Sequence, residues 1–350
     1  MKKLDYLKYL TFILFVLFLC CEAYLRMFKA ENMVLHDYPK IYRFDRDVGY
    51  KGIPNIDGYI RRPSIDKHFK LNNFGFYGPD FSLEHADSVF RIIIVGSSVA
   101  QGMWANQKES FASLLNDRFK RENFKVEVIN CGISGASRGL KNIRSAREIA
   151  TKFRPNLILF ELALPINDIN YSRETYRDYS ILFTGNNLDE FKHSKFVAQR
   201  KVDLIKSHSL ITELANYSYV IRFLYRRSSD SWGTMMNCWK IYSENSADSW
   251  LYYSSEQLNM EQSLTEINKL SADLVRVNCR LVTFEYGSSL FDNKYERKFS
   301  NIGLNLPLDK DQYHHELDGH PNLKGDLIIA ESLFKVLKDR YIPTVFLPKT

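Results

Sequence analysis

The stretch Phe90–Gly102, FRIIIVGSSVAQG, constrains the fold more than any other part of the chain. Its β-branched run Ile92, Ile93, Ile94 and Val95 stops at Gly96, presents two adjacent serines and ends at Gly102. A run that is apolar at every position suits a strand buried on both faces, and such strands belong to parallel sheets covered by helices. Residues 96–102 then read as a tight strand-to-helix turn. Turns of that kind sit at the carboxyl ends of strands, where open α/β sheets place their ligand chemistry. A serine there can be a nucleophile, part of a phosphate cradle, or a helix N-cap.

The flanking sequence repeats the rhythm. Glu109–Arg121 carries Phe111, Leu114, Leu115 and Phe119 on one helical face. Lys125–Asn130 reads as the next strand, Leu140–Phe153 as a helix closed by Pro155, and Asn156–Leu164 as a third apolar strand. After an interruption come a long amphipathic helix (Ser254–Asn278), a strand (Arg280–Phe284), a loop to Pro321 and a last helix (Leu323–Leu337). This βαβαβ alternation predicts an α/β protein with a central parallel sheet and helices on both faces.

Three regions lie outside that pattern. Residues 1–29 hold an apolar segment, Tyr6–Phe28, preceded by Lys2 and Lys3. The apolar character runs past Lys8 and Glu22, and the small-x-small site around Cys21–Ala23 is imperfect. It reads as a signal anchor rather than a cleaved signal, with the rest of the chain exported. The lipobox before Cys20 is poor. Residues 30–88 show short strands and turns punctuated by Gly and Pro, an extension packed on the main domain. Residues 170–255, dense in Tyr, Phe and Trp, predict a helical insertion in a main domain spanning 89–342. Its aromatics suit either stacking on a sugar or acyl group or a small core of their own.

Composition removes several function classes. Of the net charge of +7, residues 1–29 supply +3 through five basic residues against Asp5 and Glu22, leaving +4 for everything else. So dilute a charge, with no basic cluster, argues against nucleic acid as a partner. Five cysteines without a CxxC pair do not suggest a metal site. Among Cys131, Cys238 and Cys279, buried free thiols are favoured over a disulfide. His68 and His85 read as surface histidines.

Four positions could carry chemistry. The turn lacks the lysine of a phosphate-binding P-loop and the glycines of a dinucleotide loop, and Ala100 stands where a GxSxG elbow needs glycine. That leaves Ser98 as nucleophile or cap. Gly135, in Asn130–Ser137 after the second strand, can let a backbone N–H approach a ligand closely. Asn167, after the third strand, can donate to an oxyanion. Asp318 and His320 precede the last helix, where an Asp near a His can orient the imidazole.

Taken in order, these blocks resemble the SGNH (GDSL-like) hydrolases over about residues 89–340. The anchor and the Gly/Pro-rich segment resemble the membrane-tethered bacterial members. The resemblance implies a three-layer α/β/α, flavodoxin-like fold. It implies Ser98 as nucleophile, His320 as general base and Asp318 as its orienting carboxylate. The backbone N–H groups of Ser98 and Gly135, with the Asn167 amide, would form the oxyanion hole. No metal or organic cofactor is implied. The substrate would be an ester, and for an exported, membrane-tethered enzyme an acylated envelope glycan or lipid is expected. Hydrolysis or acyl transfer, including polysaccharide O-acetylation, both fit.

Three departures mark the chain. Ser97 replaces the aspartate of the GDS block and becomes a rival to Ser98, which is preferred because Gly102 follows it by four residues as in the block. Pro165 replaces the glycine before the block-three asparagine. Leu317 stands where the usual DxxH spacing needs aspartate, so Asp318 is taken in a DxH arrangement, with Glu316 and Asp311 in reserve. These departures also suit a catalytically silent glycan-binding or assembly protein.

Overall fold

The computed structural model describes residues 3–28, 41–45, 48–62, 65–102, 104–134, 140–162, 166, 171–176, 179–184, 188–206, 210, 214, 217–221, 223–224, 259–286, 301–304, 313–315 and 318–346. In chain order the elements are α1 (Lys3–Phe28), β1 (Tyr42–Asp45), β2 (Gly49–Gly52), β3 (Asp57–Arg62), β4 (Ile65–Lys70), β5 (Phe90–Val95) and α2 (Ser98–Gln101). Then come α3 (Phe111–Arg121), β6 (Val126–Asn130), α4 (Leu140–Phe153), β7 (Leu157–Glu161), β8 (Tyr171–Tyr176), β9 (Tyr179–Thr184) and α5 (Leu188–Lys206). The last are α6 (Met260–Arg276), β10 (Arg280–Tyr286), β11 (Asn301–Leu304), β12 (His314–His315), β13 (Asp318–Pro321) and α7 (Leu323–Arg340).

The chain falls into two units. One comprises Met1–Tyr38, Tyr59–Lys67 and Phe196–Ser254; the other comprises Pro39–Gly58, His68–Lys195 and Ser255–Thr350. In the first, α1 is long and apolar enough to cross a membrane from Asp5 to Phe28, a property that signal sequences share. Glu22, an acid near its end, is satisfied by Ser218 Oγ, the Tyr219 and Val220 N–H groups and Arg26.

The second unit is built on a five-stranded sheet of order β11-β10-β7-β5-β6, parallel throughout. In order of appearance this is 2-1-3-4-5, the flavodoxin-like order of a doubly wound sheet. The chain enters at β5, moves out to β6, then returns across β5 to β7. The reversal leaves a crevice at the carboxyl ends of β5 and β7.

All six residues of β5 and all five of β7 are buried, because the sheet is covered on both faces. Ile92, Ile94, Leu157, Leu159, Val282 and Phe284 pack with Phe111, Leu115 and Phe119 of α3 and Ile329, Leu333 and Phe334 of α7. Ile93, Val95, Ile158 and Phe160 pack with Ile143, Ala146 and Ile149 of α4 and Leu264, Ile267 and Leu270 of α6. The strand alternation thus divides one apolar run between two cores, which makes three layers. Each fully buried isoleucine contributes about 1.5–3 kcal/mol of transfer free energy.

The structure departs from the sequence reading at three places. Residues 171–184, expected as the start of a helical insertion, form an antiparallel hairpin with Tyr171 opposite Thr184 and Tyr176 opposite Tyr179. Its tyrosines, Ile181 and Phe183 suit a pleated surface. The long helix starts later than expected, at Met260, because Asn259 and Gln262 form a reciprocal capping box. Residues read as loop before the last helix contain the edge strand β11 and the short β12–β13 pair.

Candidate active site

The turn that begins at Gly96 lies at the carboxyl ends of β5 and β7. Ser97 is the N-cap of α2: its side chain accepts from the Val99 N–H at 3.3 Å. Ser98 therefore occupies the first helical position, where its own N–H has no intrahelical acceptor. α2 lasts four residues and ends at Gly102, whose φ of 67° lies in the left-handed region that glycine enters without strain.

The two serines take opposite parts. Ser97 is buried, and its hydroxyl donates to Glu161 Oε1 at 2.6 Å. Ser98 is half-buried, and its Oγ lies 2.6 Å from His320 Nε2. With the ring nitrogen accepting, the Ser98 hydroxyl donates to it, the pairing a general base needs. Trp104 covers the imidazole, the ring centroids 5.1 Å apart and tilted by 32°.

His320 is held in place by what surrounds it. It lies in β13, where the backbone of Asp318 is in register with His315 and that of Pro321 with His314. Asn322, two residues on, caps α7 by accepting from the Lys324 and Gly325 N–H groups, and its own N–H donates to Tyr313 O at 2.9 Å. Deeper along α7, the buried carboxylate of Asp326 accepts from the Phe111 N–H and ties the helix to α3.

Beneath the turn lies a residue that the sequence reading passed over. Glu161, the last residue of β7, is buried and points to the α3/α7 face, two residues beyond Leu159. Its Oε2 accepts from the Ser97 N–H at 2.8 Å and the Ala100 N–H at 3.1 Å, while Oε1 takes the Ser97 hydroxyl. Burial pushes its carboxyl above the ordinary range, against the pull of these three donors and of His320. A signal was present: Glu161 is a lone carboxylate in an otherwise apolar strand. Gly96 is what admits it, since a Cβ there would collide with the Glu161 carboxylate and Cβ.

The loop after β6 docks on the other side of α2. Asn130 Nδ2 donates to Gln101 O at 3.1 Å, Asn130 Oδ1 accepts from the Gly132 N–H, and Gln101 Oε1 accepts from the Ser134 N–H. Gly132 is the close-approach glycine here, for a Cβ would strike the backbone of Ala100 and Gln101. Residues upstream of the sheet buttress this loop and the segment that follows α2. Tyr50 Oη donates to Ser134 O at 2.6 Å, and Tyr77 Oη donates to Ala105 O at 3.0 Å.

Of the residues singled out in sequence, the structure brings Ser98 and His320 together. The backbone of Asp318 is on the same strand as His320, and its side chain lies outside the described residues, as do Gly135, Asn167, Pro165, Leu317, Glu316 and Asp311. Cys131 and Cys279 are free and buried, and burial pushes the thiol of Cys279 up to about 12 and that of Cys131 well up. Cys238 lies outside the described residues.

No family model matches the chain, and no curated protein matches it. Solved structures do. TesA covers 71% of the chain with 98% of its own length, at 11% identity and a TM-score of 0.37. The psychrotrophic esterase EstA from Pseudoalteromonas sp., solved inhibited by monoethylphosphonate, covers 71% with 97% of its own length, at 13% identity and a TM-score of 0.38. A protein described as lipolytic, of the G-D-S-L family, from Desulfitobacterium hafniense DCB-2 covers 71% with 99% of its own length, at 11% identity and a TM-score of 0.34. At such scores the class of the fold rests on the chain's own sheet order and layers.

Proposed function

We propose that the chain is a serine hydrolase of the SGNH type that cleaves ester bonds. The observation that carries this reading is the 2.6 Å pairing of Ser98 Oγ with His320 Nε2 at the switch point of the sheet. In the first step Ser98 Oγ bonds to the ester carbonyl carbon while its proton passes to His320 Nε2, and the carbonyl π pair moves onto oxygen. Collapse of this tetrahedral species breaks the carbon–alkoxide bond, and the alcohol leaves with the proton from His320. Water, deprotonated by the same imidazole, then attacks the acyl-serine and releases the acid. A sugar hydroxyl in place of water would make the reaction an acyl transfer.

Asp318 is the residue assigned to orient His320. The N–H groups of Ser98 and Gly135 and the amide of Asn167 are assigned to the oxyanion, each donor worth about 10²–10³ in rate. Residues 1–29 serve as a single-pass anchor, which puts the catalytic domain (89–342) on the extracytoplasmic side with 30–88 as its extension and about 170–255 as its insertion. An exported esterase so tethered meets acylated envelope glycans and lipids, which are the substrates assigned to it.

Labelling of the full-length chain with a fluorophosphonate probe tests the reading. The probe is expected to modify wild type at Ser98, to fail on Ser98→Ala, and to react far more slowly with His320→Ala. Absence of labelling in folded wild type would instead favour a silent binding or assembly protein. Loss of labelling in Ser97→Ala with retention in Ser98→Ala would move the nucleophile to Ser97. Product analysis with an acceptor sugar present then separates hydrolysis from transfer.

A further inference from the structure

Helix α2 is too short to hold its own shape. Four residues make at most one hydrogen-bonded turn, and a first turn fixes more backbone than its bonds repay. Yet this turn must hold Ser98 Oγ within hydrogen-bond reach of His320. Three of its donors point the same way. The Ser97 N–H, the Ser97 hydroxyl and the Ala100 N–H bracket Ser98 on both sides in sequence, and all three end on the carboxylate of Glu161. A helix N-terminus is usually capped by a neighbouring residue; here the carboxylate comes from 64 residues away, on the next strand of the sheet. Ser97 links the two arrangements, since it gives its proton to Glu161 and accepts the Val99 N–H.

Glu161 touches neither Ser98 nor His320 in a hydrogen bond. We propose that it is a positioning residue, which together with Ser97 locks the nucleophile turn onto β7 and so presents Ser98 Oγ to His320. The GDS block of the SGNH hydrolases carries its carboxylate at the position of Ser97; in this chain the carboxylate stands across the crevice at 161 and the hydroxyl takes its place. The inference rests on the hydrolase reading for its kinetic consequences and on the hydrogen bonds alone for its structural ones.

A transposed pair tests it. Glu161→Gln keeps the volume and one acceptor but sets an amide against the Ser97 hydroxyl. Ser97→Asp alone puts two carboxylates face to face. Together, Ser97→Asp with Glu161→Gln restores a carboxylate–donor pair with the roles exchanged, and aspartate is a good N-cap. In the full-length chain, Glu161→Gln is expected to lose about 10–100-fold in kcat, as a misplaced reacting group does, with KM within about threefold. Ser97→Asp should lose more, and the double variant should regain most of either loss. Wild-type kcat in Glu161→Gln, or losses that simply multiply in the double variant, would overturn the proposal.

A second readout is independent of turnover. In chain labelled with ¹⁵N-histidine, the His320 Nε2 shift should move in Glu161→Gln in the same direction as in Ser98→Ala, and return in the double variant. An unmoved shift in Glu161→Gln overturns the positioning role. If wild type neither labels nor turns over ester while the shift behaves as expected, the hydrolase reading has failed and the positioning role stands.

Discussion

Ser97 turns its hydroxyl inward to a buried carboxylate, whereas Ser98 turns its own toward an imidazole, so the two should answer differently to removal. Ser97→Ala leaves Glu161 Oε1 short of a donor and α2 without its cap. A loss of about 1–3 kcal/mol is expected, read as a lower midpoint in urea unfolding, while the probe still marks Ser98, but more slowly than in wild type. Glu161 also gives a pH dependence with a definite sign. Because burial raises its carboxyl above the ordinary value of 4.5, the folded state holds that proton to higher pH than the unfolded state does. Stability from this group is fully present below 4.5 and falls as pH rises toward the raised value. Unfolding midpoints of wild type and Glu161→Gln, measured side by side across this range, should show the wild type losing ground as pH increases. The carboxylate was legible only as an oddity in an apolar strand, for nothing in a linear pattern says that residue 161 will lie under residue 97.

At the level of elements, the loop after β6 and helix α2 act as one block because Gly132 lets their backbones meet. Gly132→Ala forces a methyl group into the Ala100–Gln101 peptide. Overpacking of this kind costs about 1–3 kcal/mol, and the displaced turn should slow probe labelling of Ser98 as well as lower the unfolding midpoint. The sequence reading expected Gly135 of this loop to bring its N–H close to a ligand, and Gly135 lies outside the described residues. The strands β5, β6, β7 and β10, with α3, α4 and α7, were legible because apolar periodicity records burial directly. Elements set by pairing were not: the β8–β9 hairpin, the edge strand β11 and the β12–β13 pair each depend on a neighbouring strand rather than on an apolar period. The start of α6 was hidden for a different reason, since the Asn259–Gln262 capping box can stop a helix that apolar spacing alone would extend.

For the whole molecule, the parallel sheet in 2-1-3-4-5 order follows from the alternation of strands and helices, and the switch point between β5 and β7 follows from the order. The turn that dominated the sequence reading sits there for that reason. α1 is long and apolar enough to cross a membrane. As an anchor it should keep the chain in the membrane pellet through alkaline carbonate extraction, at the mass of the full sequence. Recovery in the soluble fraction, shortened near Ala23, would identify a cleaved signal instead.

The Ser98–His320 pair joins residues 222 apart in the chain. What places the histidine side of the pair comes late along the sequence: β10 lies beside β7, and α7, which follows His320, seats Asp326 against the Phe111 N–H. Contacts of such separation form slowly, because a long loop must be closed before they return any energy. On a ribosome, the β5 turn would emerge with its serine exposed and chemically idle while most of the chain was still unmade. On the proposed mechanism, reactivity at Ser98 would therefore wait until His320 had been made and brought to it.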